Sequence, residues 1–425
     1  MLEDLGLKKL EDLYRDIPQG ARYEKDLQIP KGKSESEVLK ELKELADKNI
    51  TYSSIFRGAG SYAHLIPSVV KSLSSLPGYV TSYTPYQAEI SQGWLQAMFE
   101  YQTLICDLTG MEVANATDYD GGTAAAESLR MVIDQKRTTI LVAGSINPET
   151  YEVLRTYSFG ENLTLKEIPL NDGKIDLDKL TALIDENVAG VYLEQPNYYG
   201  LLEEVETVKE IVHQHKIKLI VGADPLSLGI LKSPRELGVD IAVGELHPLG
   251  IELSFGGPYG GYMATTKELM RKLPGRIVGQ TQDRHGNTSY VLTLQAREQH
   301  IRREKASSSI CSNEAICALK AAIYLAAVGK QGLKDIAQRC LSLAHFTADK
   351  ISHIGGYKLK YSGEYFDEFV VETPVEVSKI NEALKEKKIL GPLELSEHEM
   401  LVCVTEANSE QEIATLIEVL TEVSR

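Results

Sequence analysis

Cationic side chains are in short supply in this 425-residue chain. Its 45 lysines and arginines stand against 61 aspartates and glutamates, a formal net charge of −16. Nucleic acid and anionic membrane surfaces both call for a cationic face, so this balance argues against either as a partner. Long apolar runs are lacking too. No stretch approaches the roughly 20 residues needed to span a bilayer. The first residues, MLEDLGLKKLEDL, are amphipathic and acidic, without the charged-then-apolar order of a secretion signal. Cysteine is scarce: Cys106, Cys311, Cys317, Cys340 and Cys403 are odd in number, scattered, and include no Cys-x-x-Cys pair. Neither a zinc ribbon nor a redox dithiol is expected from that spacing, and a reducing cytoplasm is the expected compartment. His213 and His215 lie two apart, the wrong spacing for a helical metal pair, and Glu245 with His247 would need distant help. No metal is expected.

A further absence is local. Residues 217–223 (IKLIVGA) and 240–245 (DIAVGE) read as buried strands, and 260–265 (GGYMAT) as a third, entered through Gly256, Gly257 and Pro258. Asp224 ends the first of them. An aspartate leaving a buried strand, a following strand and a Gly-Gly loop together suggest the floor of a pyridoxal-phosphate site. There a carboxylate pairs with the pyridinium nitrogen and a lysine carries the cofactor. Asp224 suits the first role. No lysine stands between Asp240 and Thr266; His247-Pro248-Leu249-Gly250 occupies the place where one is expected. The plainer reading of Asp224, a turn residue before Pro225, stays open.

What is present is ordinary in bulk. The 43% hydrophobic and 25% charged fractions suit a globular enzyme. The length exceeds the roughly 250–300 residues of a single core, so more than one domain is expected. Residues 1–56 read as an N-terminal arm and helix: an arm over 1–33, broken by Pro18, Gly20, Pro30 and Gly32, then a helix that Ser34 and Glu37 start as a capping box. Residues 57–84 read as a packed loop with one short helix. A helix over 86–109 carries Ile90, Trp94, Met98, Tyr101, Ile105 and Leu108 on one face and ends at Gly110. Strand-like runs at 113–117, 138–143, 163–168, 189–193 and 217–223 then alternate with helical stretches at 123–136, 148–157, 176–186 and 203–214. That alternation predicts a mostly parallel sheet with helices on its faces, a large α/β domain over 57–303. Residues 304–425 predict a small α+β domain: an apolar helix at 312–329, another at 331–354, then strand, helix, strand and helix.

Three polar stretches are candidate binding elements. Gly121, Gly122 and Thr123 lie where a strand meets a helix, which suits a phosphate and equally suits a plain cap. Tyr83 and Tyr86 fall in SYTPYQAEISQG, and Arg297 and His300 in QAREQHIRREK, the most basic local run of an acidic chain. Tyrosine and histidine orient substrates or move protons, and arginine grips carboxylates. A solvated or structural role is the alternative for both.

Four segments, YTPYQAEISQGWLQAMFEYQTLICDLTG, YDGGTAAAESLRM, LGIELSFGGPYGGYMAT and REQHIRREKASSSICSNEAICALKAAIYLAA, resemble the glycine decarboxylase P-protein family of the glycine cleavage system. Within it they resemble subunit 1, the separate chain matching the N-terminal half of long single-chain forms. The resemblance runs over nearly the whole chain. It implies a fold-type-I pyridoxal-phosphate enzyme architecture. It implies a complex that decarboxylates glycine and passes the aminomethyl group to the lipoyl group of H-protein. It also implies that the cofactor lysine belongs to P-protein subunit 2, so no cofactor is covalently bound to this chain. Gly121, Gly122, Thr123, Asp224 and His247 would then mark a vestigial pocket. Tyr83, Tyr86, Arg297 and His300 would be candidate contributions to the partner's site. Two other readings stay open: a self-sufficient enzyme using Lys232 or Lys305, and a scaffold that only stabilises subunit 2. The helix at 312–329 and the segment 57–67 are expected to serve an obligate interface.

Overall fold

Runs of branched apolar residues build the centre of the molecule. TILVA (Thr139–Ala143), VAGVYLEQ (Val188–Gln195), KLIVGA (Lys218–Ala223) and IAVGE (Ile241–Glu245) are buried along most of their length. Strands covered on both faces read as continuous apolar runs. They join Thr164–Ile168, Gly261–Thr265 and Val113–Ala114 in one seven-stranded sheet. From edge to edge the order is 113–114, 261–265, 241–245, 218–223, 188–195, 139–143 and 164–168. The last five run parallel. Gly261–Thr265 is antiparallel to both its neighbours. The computed structural model describes the chain except Glu24, Ser307 and Arg425.

The chain divides into two units, Met1–Thr51 and Tyr52–Arg425. The first holds the helix Glu35–Ala46, whose Ser34 and Glu37 form the expected capping box. In the second, the long early helix begins at Gln92, six residues later than its periodicity suggests. A 3-10 turn at Ala88–Ile90 takes the preceding residues. The side chain of Gln92 donates to the carbonyls of Ala88 at 2.7 Å and Tyr290 at 2.9 Å. Gly110, at φ 69°, ends that helix as expected. Residues 57–84 hold two short helices, Ser68–Ser74 and Pro77–Val80, where one is expected. A hairpin of Ile277–Gln282 with Thr288–Thr293 was not foreseen, because its outer half is polar and exposed and lacks strand-like apolar alternation.

The helix Ala315–Ser352 passes through two hydrophobic cores. Gly329, at φ 63° and ψ 179°, breaks it where the sequence places a boundary between two helices. Cys317, Ala318, Ala321, Tyr324 and Leu333 pack in the core of the large sheet. Leu343, Ala344, Ala348 and Ile351 pack in a second core with Phe56, Phe369, Met400 and Leu416. By length and composition alone this helix is apolar enough to cross a membrane, a test that a buried core helix also passes. Its buried face and its break at Gly329 serve the two cores instead. It is also not the exposed interface helix that its composition suggests. The second core lies under a four-stranded antiparallel sheet: Lys358–Leu359, Glu368–Glu372, Glu399–Cys403 and Leu393–Ser396. The helices Val377–Glu386 and Glu410–Val423 complete it.

Candidate functional site

In sheets of this kind ligands bind beyond the carboxyl ends of the parallel strands. A cavity of about 370 Å³ lies there, lined by residues from the ends of 188–195, 218–223 and 241–245. The loop Ala59–Tyr62, the turns at 120–122 and 147–150, and Val153, Pro248, Gly256 and Tyr259 complete its wall. Five carboxylates face it: Asp120, Glu149, Glu194, Asp224 and Glu245. Among the described residues no lysine, arginine or histidine lines it.

The helix Gly121–Val132 starts at this cavity, and two of its first N–H groups are taken by carboxylates. Gly121 N–H donates to Glu245 Oε2 at 3.0 Å, and Thr123 N–H to Asp120 Oδ1 at 2.6 Å. A side chain on Gly121 would meet the Glu245 backbone at 3.0 Å, so glycine is needed for this close approach. Glu245 Oε1 is buried without a partner. Burial, aided by Asp120, pushes the Glu245 carboxyl from 4.5 to about 8 against the pull of the Gly121 N–H.

Glu194 accepts the Asn147 N–H at 2.8 Å and the Tyr192 hydroxyl at 3.1 Å, and burial raises it to about 7. Asp224 accepts the N–H groups of Leu226 at 3.0 Å and Ser227 at 3.2 Å. Its carboxylate therefore closes its own turn, as the plainer sequence reading has it, while still lining the cavity. Burial raises its pKa, and those N–H groups and His64 draw it down.

The sequence candidates separate in space. Gly121, Gly122 and Asp224 line the cavity; Thr123 and His247 do not. His247 sits behind the wall, stacked on Tyr259 with ring centroids 4.6 Å apart. Its Nδ1 lies 2.8 Å from the Ile251 carbonyl, and its Nε2 accepts the Tyr62 N–H at 3.1 Å. It ties two loops together. None of Tyr83, Tyr86, Arg297 and His300 reaches the cavity. Tyr83 is 81% exposed and Tyr86 51% exposed. The Tyr86 hydroxyl accepts from Arg276 Nη2 at 3.1 Å, with the guanidinium over its ring at 4.9 Å. Arg297 donates to the carbonyls of Leu294 and Gly275 at 3.1 and 2.7 Å. Exposed His300 lies 3.7 Å from Glu298. Lys232 pairs with Glu206 at 3.0 Å on the surface, and Lys305 is exposed.

The family model described as "Glycine cleavage system P-protein" matches residues 1–420. The chain belongs to this family. Its relatives include the probable glycine dehydrogenase (decarboxylating) subunit 1 of Bacillus cereus strain B4264, 47% identical over 98% of this chain and 95% of that protein. The protein of the same name from Bacillus anthracis strain CDC 684 is similar to the same degree, 47% over 98% and 95%. A crystal structure of glycine decarboxylase (P-protein) of the glycine cleavage system, in inhibitor-bound form, matches with a TM-score of 0.94. It is 38% identical and the match covers 100% of this chain and 97% of that one. A sphingosine-1-phosphate lyase from Burkholderia pseudomallei matches at TM-score 0.71 and 13% identity, over 96% and 94% of the two chains. That likeness is one of fold. The architecture is that of fold-type-I pyridoxal-phosphate enzymes.

Within this P-protein fold, the cavity of this chain does not fit the cofactor. The cofactor needs a lysine and cationic or N–H partners for its phosphate. Here the lysine is missing, the cations are elsewhere, and carboxylates occupy the helix N-terminus. Sequence reading missed Asp120, Glu149 and Glu194 as wall residues. They lie on separate segments that meet only in the fold.

Proposed function

We propose that this chain is the subunit of a two-chain glycine dehydrogenase (decarboxylating) that does not carry the cofactor lysine. Its homologous partner, P-protein subunit 2, would hold pyridoxal phosphate, which supplies an electron sink when CO2 leaves glycine. The aminomethyl group then passes to lipoylated H-protein, in the cytoplasm. The observation that carries this reading is the cavity itself. At the place where this fold binds its cofactor, five carboxylates line the wall and, among the described residues, no lysine does. The chain's own part is to complete a site that it does not run. Tyr83, Tyr86, Arg297 and His300 are the residues proposed to face the partner's pocket. Tyr83, Tyr86 and His300 are exposed on segments outside the acidic cavity, which supports that role.

The test uses this chain and its partner, each alone and mixed, with pyridoxal phosphate added. Borohydride reduction followed by mass spectrometry is expected to leave a covalent lysine adduct on the partner only. Glycine–bicarbonate exchange is expected only from the mixture. A stoichiometric adduct on this chain, at Lys232, Lys305 or elsewhere, or exchange by this chain alone, would overturn the reading.

A further inference from the structure

Outside the acidic cavity, three unlike side chains from three distant segments converge. His64 lies on the loop that continues from the cavity wall. Cys340 lies in the second half of the broken helix. Glu406 lies in the turn between Glu399–Cys403 and the last helix. One donor atom from each falls within 4.8 Å of the others. The side chains of His64 and Glu406 are only 5% and 7% exposed, and Cys340 is fully buried. We propose that His64, Cys340 and Glu406 form a divalent transition-metal site, and that zinc is its ion.

The donor set is the first argument. A thiolate, an imidazole and a carboxylate, with a fourth position open, are the ligands that a zinc site assembles. The second is how the atoms are aimed. Glu406 Oε2 sits 2.8 Å from His64 Nδ1 and 3.1 Å from Cys340 Sγ, so one carboxylate oxygen serves both other donors. Zinc bonds of about 2.1 Å to N and O and about 2.3 Å to S place such ligands roughly 3.4–3.6 Å apart. The two contacts to Glu406 Oε2 therefore have to open by only about half an ångström to admit the ion.

The third argument is the supporting layer. The Leu65 N–H donates to Glu406 Oε1 at 2.8 Å and holds the carboxylate with Oε2 inward. The Glu406 N–H donates to Cys340 Sγ at 3.3 Å and fixes where the sulfur sits. Outer contacts of this kind orient metal ligands. On binding, the Cys340 thiol proton leaves to solvent, and any proton on His64 Nδ1 moves to Nε2 or leaves too. A bond from the metal replaces each. The ion would pin the loop 59–64, part of the cavity wall, to the small sheet and its helix. The sequence shows none of this, because the ligand spacing exceeds that of any local metal motif.

The test strips the full-length chain with a chelator, reloads it with zinc or cobalt(II) and dialyses it. Elemental analysis is expected to find about one ion per chain. Cobalt is expected to produce sulfur-to-metal charge-transfer absorption and the intense visible bands of a four-coordinate ion. Cys340→Ser, His64→Gln and Glu406→Gln are each expected to weaken zinc retention by about tenfold or more. Exposed Cys311→Ser is expected to retain it as the native chain does. Glu406→Gln keeps an acceptor for the Leu65 N–H and decides the matter if Cys340→Ser does not fold. Failure of the native chain to retain either ion, or retention by folded Glu406→Gln equal to the native chain, overturns the proposal.

Discussion

Glu245 lines the cavity at the start of the helix Gly121–Val132. Its Oε2 holds the Gly121 N–H, and its Oε1 is buried alone. Below pH 4.5 the carboxyl is protonated whether the chain is folded or not, so it carries no penalty. Between 4.5 and about 8 the unfolded carboxyl sheds its proton while the folded one keeps it. Stability therefore falls as pH rises across that window, and the loss is complete above it. Glu245→Gln removes this dependence. Its melting temperature, measured from pH 5 to pH 8, is expected to fall less than that of the native chain (about 4.5 to about 8 is the window). Equal slopes would mean that Glu245 ionises freely in the fold. The exposed candidates are tested by Tyr83→Phe and His300→Ala in the assembled complex. A fall in glycine–bicarbonate exchange of roughly tenfold or more is expected for a residue that orients substrate or moves a proton. Normal assembly with unchanged exchange would assign both residues to structure and favour the scaffold reading.

At the scale of elements, the break at Gly329 is the feature most exposed to test. Its φ of 63° and ψ of 179° lie in a region that only glycine occupies readily. No atom would meet a side chain there within 4 Å, so substitution adds backbone strain without a clash. Gly329→Ala is expected to cost on the order of 1–3 kcal/mol in urea unfolding. A variant as stable as the native chain would mean that the two halves can run on as one straight helix without loss. Both helix boundaries and caps were largely legible in the sequence. Ser34 and Glu37 form the expected capping box, and Gly110 is a left-handed C-cap. The hairpin at 277–293 was not legible, because its pairing is set by the partner strand and not by its own alternation.

For the whole molecule, the exposed apolar surface points to a further candidate interface. The helix 312–329 is consumed by the chain's own core, as Cys317, Tyr324 and Leu325 show. Exposed apolar side chains gather instead along 65–90, with Leu65, Leu76, Val80, Tyr83 and Ile90 all 47% exposed or more. Leu76, Pro77, Tyr79, Ile90 and Trp94 line a shallow cleft in the same region. A surface of this kind on an acidic chain suits a homologous partner. Sedimentation of the chain with its partner is expected to show a tight complex. Ile90→Asp is expected to leave the isolated chain folded and to weaken the complex by at least about tenfold, since Ile90 is 80% exposed in the chain alone. An unchanged complex would place the interface elsewhere.

The sequence by itself determined the alternating strands and helices, most of the caps, the helix break and the missing lysine beyond Asp224. Each rests on spacing or composition within a few turns of chain, and local backbone physics enforces it. Tertiary structure alone decided that Asp120, Glu149, Glu194, Asp224 and Glu245 share one cavity. It also decided that His247 closes two loops, and that His64, Cys340 and Glu406 meet. Those groups lie on segments far apart in the chain. Their approach follows from how the sheet, the broken helix and the second core pack, and no local pattern encodes it.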